Sequence, residues 1–138
     1  INLFSSFSII KYGIKYLRNN GGSMIFFSSS AAKVGLSNHE AIASAKGAIE
    51  SLVISAASTY AKYNIRLNSI SPGLVKTNLT NKITENEISL DYSRKLHALG
   101  RIGKPNNFIP IIKCLLDVDS DWITGQNFKV DGGLSNLK

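Results

Sequence analysis

The side chains that could move a proton lie close together, between the serine run at residues 28–30 and Lys46. His39 carries an imidazole, which is a competent acid or base near neutral pH. Lys46 carries an ammonium group that can favour a neighbouring anion. His39, Ile42 and Lys46 lie three and four residues apart, so on a helix they share one face. An apolar residue, Ile42, thus lies between two side chains that could take part in proton transfer.

Hydrophobic periodicity predicts the elements that would position these side chains. Apolar residues at intervals of three and four predict an amphipathic helix over residues 3–19. The uncharged run at residues 23–30 predicts a strand buried on both faces. A long helix is predicted over residues 38–63, with Asn38 as its N-cap. Alternating residues predict a second strand at 64–71.

Three further elements are predicted in the last third of the chain. They are a weak helix over residues 85–97, an apolar helix over residues 107–116 with Pro110 in its first turn, and a short strand before Gly132. Strands separated by helices favour a parallel sheet with helices on both faces. The predicted fold class is therefore α/β with three αβα layers. Three strands leave two apolar edges open, which indicates that a partner segment is absent.

Several motifs resemble, in order and spacing, the C-terminal part of a short-chain dehydrogenase/reductase. They are Ser28 and Ser29, the small-residue tract that ends at Lys46, the segments RLNSISPGLVKT and GRIGKP, and the closing VDGG. The resemblance covers essentially all 138 residues. It implies the C-terminal portion of a Rossmann-type doubly wound parallel sheet. It also implies hydride transfer between NAD or NADP and a small carbonyl or alcohol substrate.

The resemblance implies roles for individual residues. The family's serine lies 13 residues before its tyrosine, as Ser29 lies 13 before Ile42, and the family's lysine follows that tyrosine by four, as Lys46 does. Asn2, which lies 27 residues before Ser29, matches the family's asparagine. PGLVKT matches the family's loop beside the nicotinamide. The residues that the resemblance places against the cofactor are Lys46, Pro72, Gly73, Val75 and Thr77.

Ile42 stands where the family has its tyrosine. A phenol has a pKa of about 10 and needs a nearby cation to transfer a proton at neutral pH. A lysine one helical turn away can supply that charge, and the serine hydroxyl would hold the substrate oxygen. Ile42 can neither donate nor accept a proton. We therefore expect altered or impaired proton transfer, with His39 as a candidate substitute acid or base.

Two alternative functions stay open. The chain could be a non-catalytic relative that binds a dinucleotide or a partner protein. A remoter alternative is a basic nucleic-acid-binding module, because the 16 Lys and Arg residues outnumber the 9 Asp and Glu residues. The basic residues are scattered and do not interleave with aromatic residues. We therefore expect a solvated basic surface and no nucleic-acid partner.

Composition sets expectations for the surroundings of the protein. No apolar run approaches the roughly 20 residues of a membrane span, and no secretion signal is recognisable. The single cysteine, Cys114, excludes an intrachain disulfide and is expected to be buried. We expect a cytoplasmic protein with no membrane partner. No group of residues has the spacing of metal ligands, so no metal site is predicted.

We predict that residues 1–138 form the C-terminal part of one NAD(P)-binding Rossmann-type domain. A glycine-rich turn that opens a helix and binds pyrophosphate has no counterpart here, because Gly21 and Gly22 end a helix. By the resemblance, that turn belongs to an N-terminal half that is absent from this chain. Alone, the chain is expected to be inactive and marginally stable or aggregation-prone. The family forms dimers and tetramers, so a homo-oligomer is expected of the full-length protein.

Overall fold

The structure, a computed structural model, describes residues 2–137, so that Ile1 and Lys138 of the predicted domain lie outside the described residues. Its helices are α1 (Asn2–Leu17), α2 (Glu40–Tyr60), α3 (Asn81–Thr84), α4 (Glu87–Leu96) and α5 (Ile109–Leu116). Its strands are β1 (Gly22–Phe27), β2 (Ile65–Pro72) and β3 (Asn127–Val130). Short 3-10 helices lie at Ser30–Ala32, Ala61–Tyr63, Asn78–Thr80 and Pro105–Phe108. The predicted order of helices and strands is confirmed.

The three strands form one parallel sheet in the order β1-β2-β3. Because all strands are parallel, their carboxyl ends meet at one edge of the sheet. The central strand β2 is buried except at Arg66 and Pro72, which are partly exposed. In β1 only Phe26 is buried. The prediction that β1 is buried on both faces is wrong for the described residues, because β1 is only partly buried and pairs with a strand on one side only.

Helices cover both faces of the sheet. On one face, α1 and α2 pack against the strands through a cluster that includes Ile14, Phe26 and Val53. On the other face, Leu115 of α5 packs with Phe108 and Ile70. Each fully buried aliphatic side chain contributes about 1.5–3 kcal/mol, so the two clusters hold the three layers together. The predicted α/β class and its three αβα layers are confirmed.

The direction of the chain brings the starts of the two long helices to the carboxyl edge of the sheet. α1 leads into β1 through a short turn, and α2 returns the chain from β1 to β2. Both helices therefore run antiparallel to the strands. Asn2, at the start of α1, and Lys46, in the second turn of α2, lie towards the same edge as the ends of β1 and β2.

Two local predictions are wrong. Asn38 is not the N-cap of α2, because its backbone is left-handed (φ 60°) and His39 takes the cap position without a side-chain hydrogen bond. Cys114 is exposed rather than buried, because Leu115 is the residue of α5 that faces the sheet. Over the described residues, no helix combines the length and the hydropathy needed to cross a membrane.

A wide surface groove borders the opposite edge of the sheet, at the amino ends of the strands. Gly22 and Arg66 line it together with Trp122. Trp122 is the only tryptophan of the chain, and its side chain is 95% exposed. The groove and the predicted site residues thus lie at opposite edges of the sheet.

Candidate functional site

The serine run after β1 alternates between the interior and the surface. Ser29 has an extended backbone (φ −161°, ψ 145°), and successive side chains of an extended segment point to opposite sides. Ser28 and Ser30 are buried, whereas Ser29 is partly exposed. The Ser29 Oγ accepts a hydrogen bond from the backbone N–H of Ala31 at 3.2 Å. Its own hydroxyl hydrogen can therefore be donated to a bound molecule.

Lys46 reaches the end of β1 from the second turn of α2. Its Nζ donates a hydrogen bond of 2.8 Å to the carbonyl oxygen of Phe27, two residues before Ser29. An ammonium group carries three N–H donors, so two more can bind other groups. Partial burial removes water from this ammonium and lowers the pKa of Lys46 below the ordinary value for lysine. The structure thus brings Lys46 and Ser29 to one strand end.

The loop of residues 72–77 begins beside the serine run. The backbone N–H of Ser28 donates to the carbonyl oxygen of Ile70 at 2.8 Å, so the end of β2 lies next to the end of β1. Pro72 closes β2, and Gly73 opens the loop. The predicted cofactor loop and Ser29 are therefore neighbours at the carboxyl edge of the sheet.

Contacts within the chain fix the far part of this loop. Val75 forms an isolated parallel bridge with Gly103. The Oγ1 of Thr80 donates to the carbonyl oxygen of Val75 at 2.6 Å and accepts from the backbone N–H of Thr77 at 3.0 Å. Thr77 itself is exposed. The loop is therefore held in place while the side chain of Thr77 stays at the surface.

A buried histidine supports the start of the same loop. His97 is 4% exposed, and its Nε2 accepts a hydrogen bond of 3.1 Å from the backbone N–H of Leu74. Its Nδ1 lies 2.6 Å from the carbonyl oxygen of Ser93. Since a carbonyl can only accept, Nδ1 carries the hydrogen and Nε2 is the acceptor. The sequence did not predict this role of His97, because no spacing along the chain links it to Leu74.

The other predicted site residues lie outside these contacts. Asn2 is exposed, and among residues 2–137 no hydrogen bond joins it to Ser29 or Lys46. His39 Nδ1 lies 2.7 Å from the carbonyl oxygen of Ser37, which leaves Nε2 as its second ring nitrogen. Ile42 is partly buried, one turn before Lys46. Among the described residues, none of these three side chains is hydrogen-bonded to Ser29 or Lys46.

Two buried carboxylates lie behind the strand ends, and the first is Glu50 of α2. Glu50 is 4% exposed. Its Oε1 accepts a hydrogen bond of 2.7 Å from Ser28 Oγ and lies 3.1 Å from Ser71 Oγ. Its Oε2 lies 3.3 Å from Nζ of Lys33. The sequence signal was present, because Glu50 lies between Lys46 and Val53 on the face of α2 that meets the sheet.

The second buried carboxylate is Asp131, directly after β3. Its Oδ2 accepts hydrogen bonds from Ser30 Oγ at 2.7 Å and from the backbone N–H of Ser135 at 3.1 Å, and its Oδ1 accepts one from the N–H of Gly133 at 3.0 Å. Ser135 Oγ also donates to Oδ2. Burial opposes the charged form, but the hydrogen bonds from Ser135, Ser30 and Gly133 outweigh it and lower the pKa of Asp131.

Comparison with known proteins identifies the family of the chain. A family model described as enoyl-(acyl carrier protein) reductase matches residues 1–135. A chloroplastic tropinone reductase homologue of Arabidopsis thaliana is 36% identical over 135 residues, which cover 97% of this chain and 42% of that protein. The chain spans about half the length of the curated relatives that it matches.

Solved structures share the fold of the chain. A short-chain type dehydrogenase/reductase from Mycobacterium ulcerans superposes with a TM-score of 0.90 at 32% identity, over 99% of this chain and 50% of that one. The protein ElxO, solved with NADP bound, superposes with a TM-score of 0.88 at 27% identity, over 96% of this chain and 54% of that one. With the family model matching nearly the whole sequence, the chain belongs to the short-chain dehydrogenase/reductase family.

Proposed function

We propose that the full-length protein is an NAD(P)-dependent oxidoreductase that acts on a small carbonyl or alcohol substrate, with proton transfer altered or impaired at Ile42. One observation carries the proposal: Ser29, Lys46 and the loop of residues 72–77 meet at the carboxyl edge of a parallel sheet. Ligands of open α/β sheets bind at that edge. Family membership supports the type of reaction, and the substrate class is our inference from it.

The residues at this edge fit the nicotinamide end of a dinucleotide. Lys46 uses one of its three N–H groups on Phe27, and the other two would bind ribose hydroxyls. Pro72, Gly73, Val75 and Thr77 would lie against the nicotinamide ring. The NADP bound to ElxO supports NAD or NADP as the cofactor here. Within residues 2–137 no glycine-rich turn opens a helix for the pyrophosphate, so this segment would hold one end of the cofactor.

The cofactor and the side chains of the site would have separate roles in the reaction. The cofactor, when bound, supplies or takes the hydride. The hydroxyl of Ser29 would donate a hydrogen bond to the substrate oxygen, and the charge of Lys46 would stabilise negative charge that develops there. Asn2 would help to anchor a water that leads to Lys46. A proton must still reach the oxygen as a carbonyl becomes an alcohol, and Ile42 cannot supply it.

The exchange Ile42→Tyr in the full-length protein tests this proposal directly, with Ile42→Phe as a control of similar size that lacks the hydroxyl. Turnover is followed by the absorbance of the reduced nicotinamide with a panel of small ketones and aldehydes. A positioned acid or base contributes about 100-fold or more, so we expect a gain of that order for the tyrosine variant and none for the phenylalanine variant. Equal turnover in all three proteins would show that Ile42 is not a vacant acid position.

The variant His39→Ala, assayed in parallel, tests the substitute acid or base. If His39 carries the proton in the protein with Ile42, its loss should remove most of the turnover. Unchanged turnover would exclude His39. Dinucleotide binding without turnover in any variant would instead favour the alternative, a non-catalytic relative that binds a dinucleotide or a protein partner.

We also propose the setting in which this site operates. Residues 1–138 would form the C-terminal part of one Rossmann-type domain of a cytoplasmic protein. The exposed aromatic side chains Phe4 and Tyr16 of α1 support assembly into a dimer or tetramer, because large apolar groups at a surface favour association.

A further inference from the structure

We propose that Glu50 is a positioning residue, which holds the serine run so that the hydroxyl of Ser29 faces the bound substrate. The inference rests on the proposed function, because it concerns the same site. Glu50 lies one helical turn after Lys46 and faces the strand ends from α2. It is buried behind Ser28, so it would act on the substrate only through the residues that it holds.

One oxygen of Glu50 contacts the residues that precede both parts of the site. Its Oε1 accepts a hydrogen bond of 2.7 Å from Ser28, the residue before Ser29. The same oxygen lies 3.1 Å from the hydroxyl of Ser71, the residue before Pro72. A single carboxylate oxygen therefore bridges the serine run and the end of β2 that leads into the cofactor loop.

The other side of Ser29 is held in the same way. Ser30 donates a hydrogen bond of 2.7 Å to Asp131. Ser28 and Ser30 thus face inwards to two carboxylates, and the alternation of an extended backbone turns Ser29 the opposite way. A carboxylate can only accept hydrogen bonds, and the two carboxylates are the nearest acceptors for the hydroxyls of Ser28 and Ser30.

The burial of Glu50 is itself informative. Burying a carboxylate is unfavourable unless it is paired and hydrogen-bonded, and a well-packed apolar side chain often replaces a buried ion pair without loss of stability. The Lys33 partner, 3.3 Å away, has a side chain that is 57% exposed, so the ion pair is open to water on one side. Stability alone is therefore a weak reason for a carboxylate at this position. Its Oε1, at 2.7 Å, is a closer acceptor for Ser28 Oγ than the carbonyl oxygen of Lys46, at 3.0 Å.

The test compares two exchanges of Glu50 in the full-length protein. Glu50→Gln keeps an oxygen that can accept from Ser28, whereas Glu50→Leu keeps none. Glu40→Leu is the matched control, because Glu40 is an exposed glutamate in the first turn of the same helix. Misplacement of a reacting group lowers kcat steeply. We expect kcat to fall about 10-fold or more for Glu50→Leu, to fall much less for Glu50→Gln, and to stay unchanged for Glu40→Leu.

A second measurement does not depend on turnover. The backbone N–H of Ala31 is bonded to Ser29 Oγ, so its hydrogen exchange reports whether Ser29 is held. We expect exchange at Ala31 to speed up about 10-fold in Glu50→Leu relative to Glu40→Leu, while the amide of Val53 in the core stays protected. If no variant turns over, the proposed function fails, and exchange at Ala31 alone decides the role of Glu50.

The result that overturns the proposal is a folded Glu50→Leu protein in which both kcat and exchange at Ala31 match the Glu40→Leu control. If Glu50→Leu does not fold, Ser28→Ala replaces it, because that exchange removes the hydroxyl that Glu50 holds, together with its 3.0 Å contact to the carbonyl oxygen of Lys46. The same two readouts then apply. Loss of kcat with unchanged exchange at Ala31 would also contradict the proposal, because Ser29 would then be held without Glu50.

Discussion

The negative charge of Asp131, at the carboxyl ends of the strands, is stabilised by individual hydrogen bonds. Asp131 gathers two serine hydroxyls and two backbone N–H groups around one carboxylate. These hydrogen bonds exceed the effect of burial, and the pKa of Asp131 is lowered. The folded protein therefore favours the charged carboxylate more than the unfolded chain does.

The pKa of Asp131 gives its contribution a definite pH dependence. Because the folded pKa lies below the unfolded value of about 4, the unfolded chain takes up the proton first as the pH falls. The stabilisation is fully present above the unfolded pKa and is lost as the pH falls through the folded pKa. We expect Asp131→Asn to lower the free energy of unfolding of the full-length protein by about 1–3 kcal/mol at neutral pH, and by less below pH of about 4.

Urea unfolding of both proteins at several pH values measures this difference. Asp119→Asn is the control, because Asp119 is exposed and lies outside the cluster. A difference between the wild type and Asp131→Asn that stays constant down to the lowest pH would contradict the role of the charged carboxylate.

Among the elements, the loop of residues 72–77 depends on parts of the chain that are distant in sequence. His97, directly after α4, holds the backbone of Leu74. Gly73 lies against both His97 and Asp131, so that an added Cβ would lie 2.6 Å from His97 Nε2 and 3.0 Å from the carbonyl oxygen of Asp131. The path of the loop is therefore set by close packing as well as by hydrogen bonds.

We expect Gly73→Ala to force this loop away from His97 and Asp131. Overpacking of this kind destabilises by about 1–3 kcal/mol, and the shifted loop should also weaken dinucleotide binding. Gly35→Ala is the control, since nothing lies within 4 Å of an added Cβ there. Chemical unfolding and titration with the dinucleotide measure both effects. Equal stability and equal dinucleotide affinity in the two variants would show that the loop can accommodate a Cβ at residue 73.

The pattern of the sequence predicted these elements well and their contacts poorly. Hydrophobic periodicity depends on the local order of residues, and the predicted order of helices and strands is confirmed. The predicted place of Pro110, in the first turn of α5, is confirmed as well. The N-cap of α2 was wrong, because the left-handed backbone of Asn38 depends on the path of the preceding loop. The hydrogen bond between His97 and Leu74 depends on how α4 packs, which periodicity does not describe.

Part of the site could be predicted because the relevant residues follow each other at fixed spacings. Ser29 lies just after β1, Ile42 and Lys46 lie in α2, and the structure brings Ser29 and Lys46 to the same strand end. Glu50 and Asp131, which hold Ser28 and Ser30, were not predicted as part of the site. Charged residues are usually exposed, and their buried partners here are distant in sequence. The roles of the predicted residues stay predictions.

At the scale of the whole molecule, the two outer strands of the sheet, β1 and β3, each pair on one side only over residues 2–137. β1 pairs only with β2 on one side among the described residues, and Phe27 at its end is 43% exposed. The chain spans about half the length of the curated relatives that it matches. Unpaired strand edges and exposed apolar groups favour association between molecules.

We therefore expect the isolated 138-residue chain to be marginally stable or to aggregate. Size-exclusion chromatography and thermal unfolding followed by circular dichroism measure this, with the full-length protein under the same conditions as the reference. A soluble monomer with a cooperative thermal transition would contradict the expectation.

The single tryptophan, Trp122, can report by its fluorescence on only one end of the sheet, the end where the strands begin. Trp122 stands in water at the groove beside the amino ends of the strands, whereas Lys46 and Ser29 lie at the carboxyl ends. Indole emission moves to shorter wavelengths when the ring leaves water. A blue shift of the intrinsic fluorescence would therefore report that another surface has covered the groove, and would not by itself indicate a ligand beside Lys46.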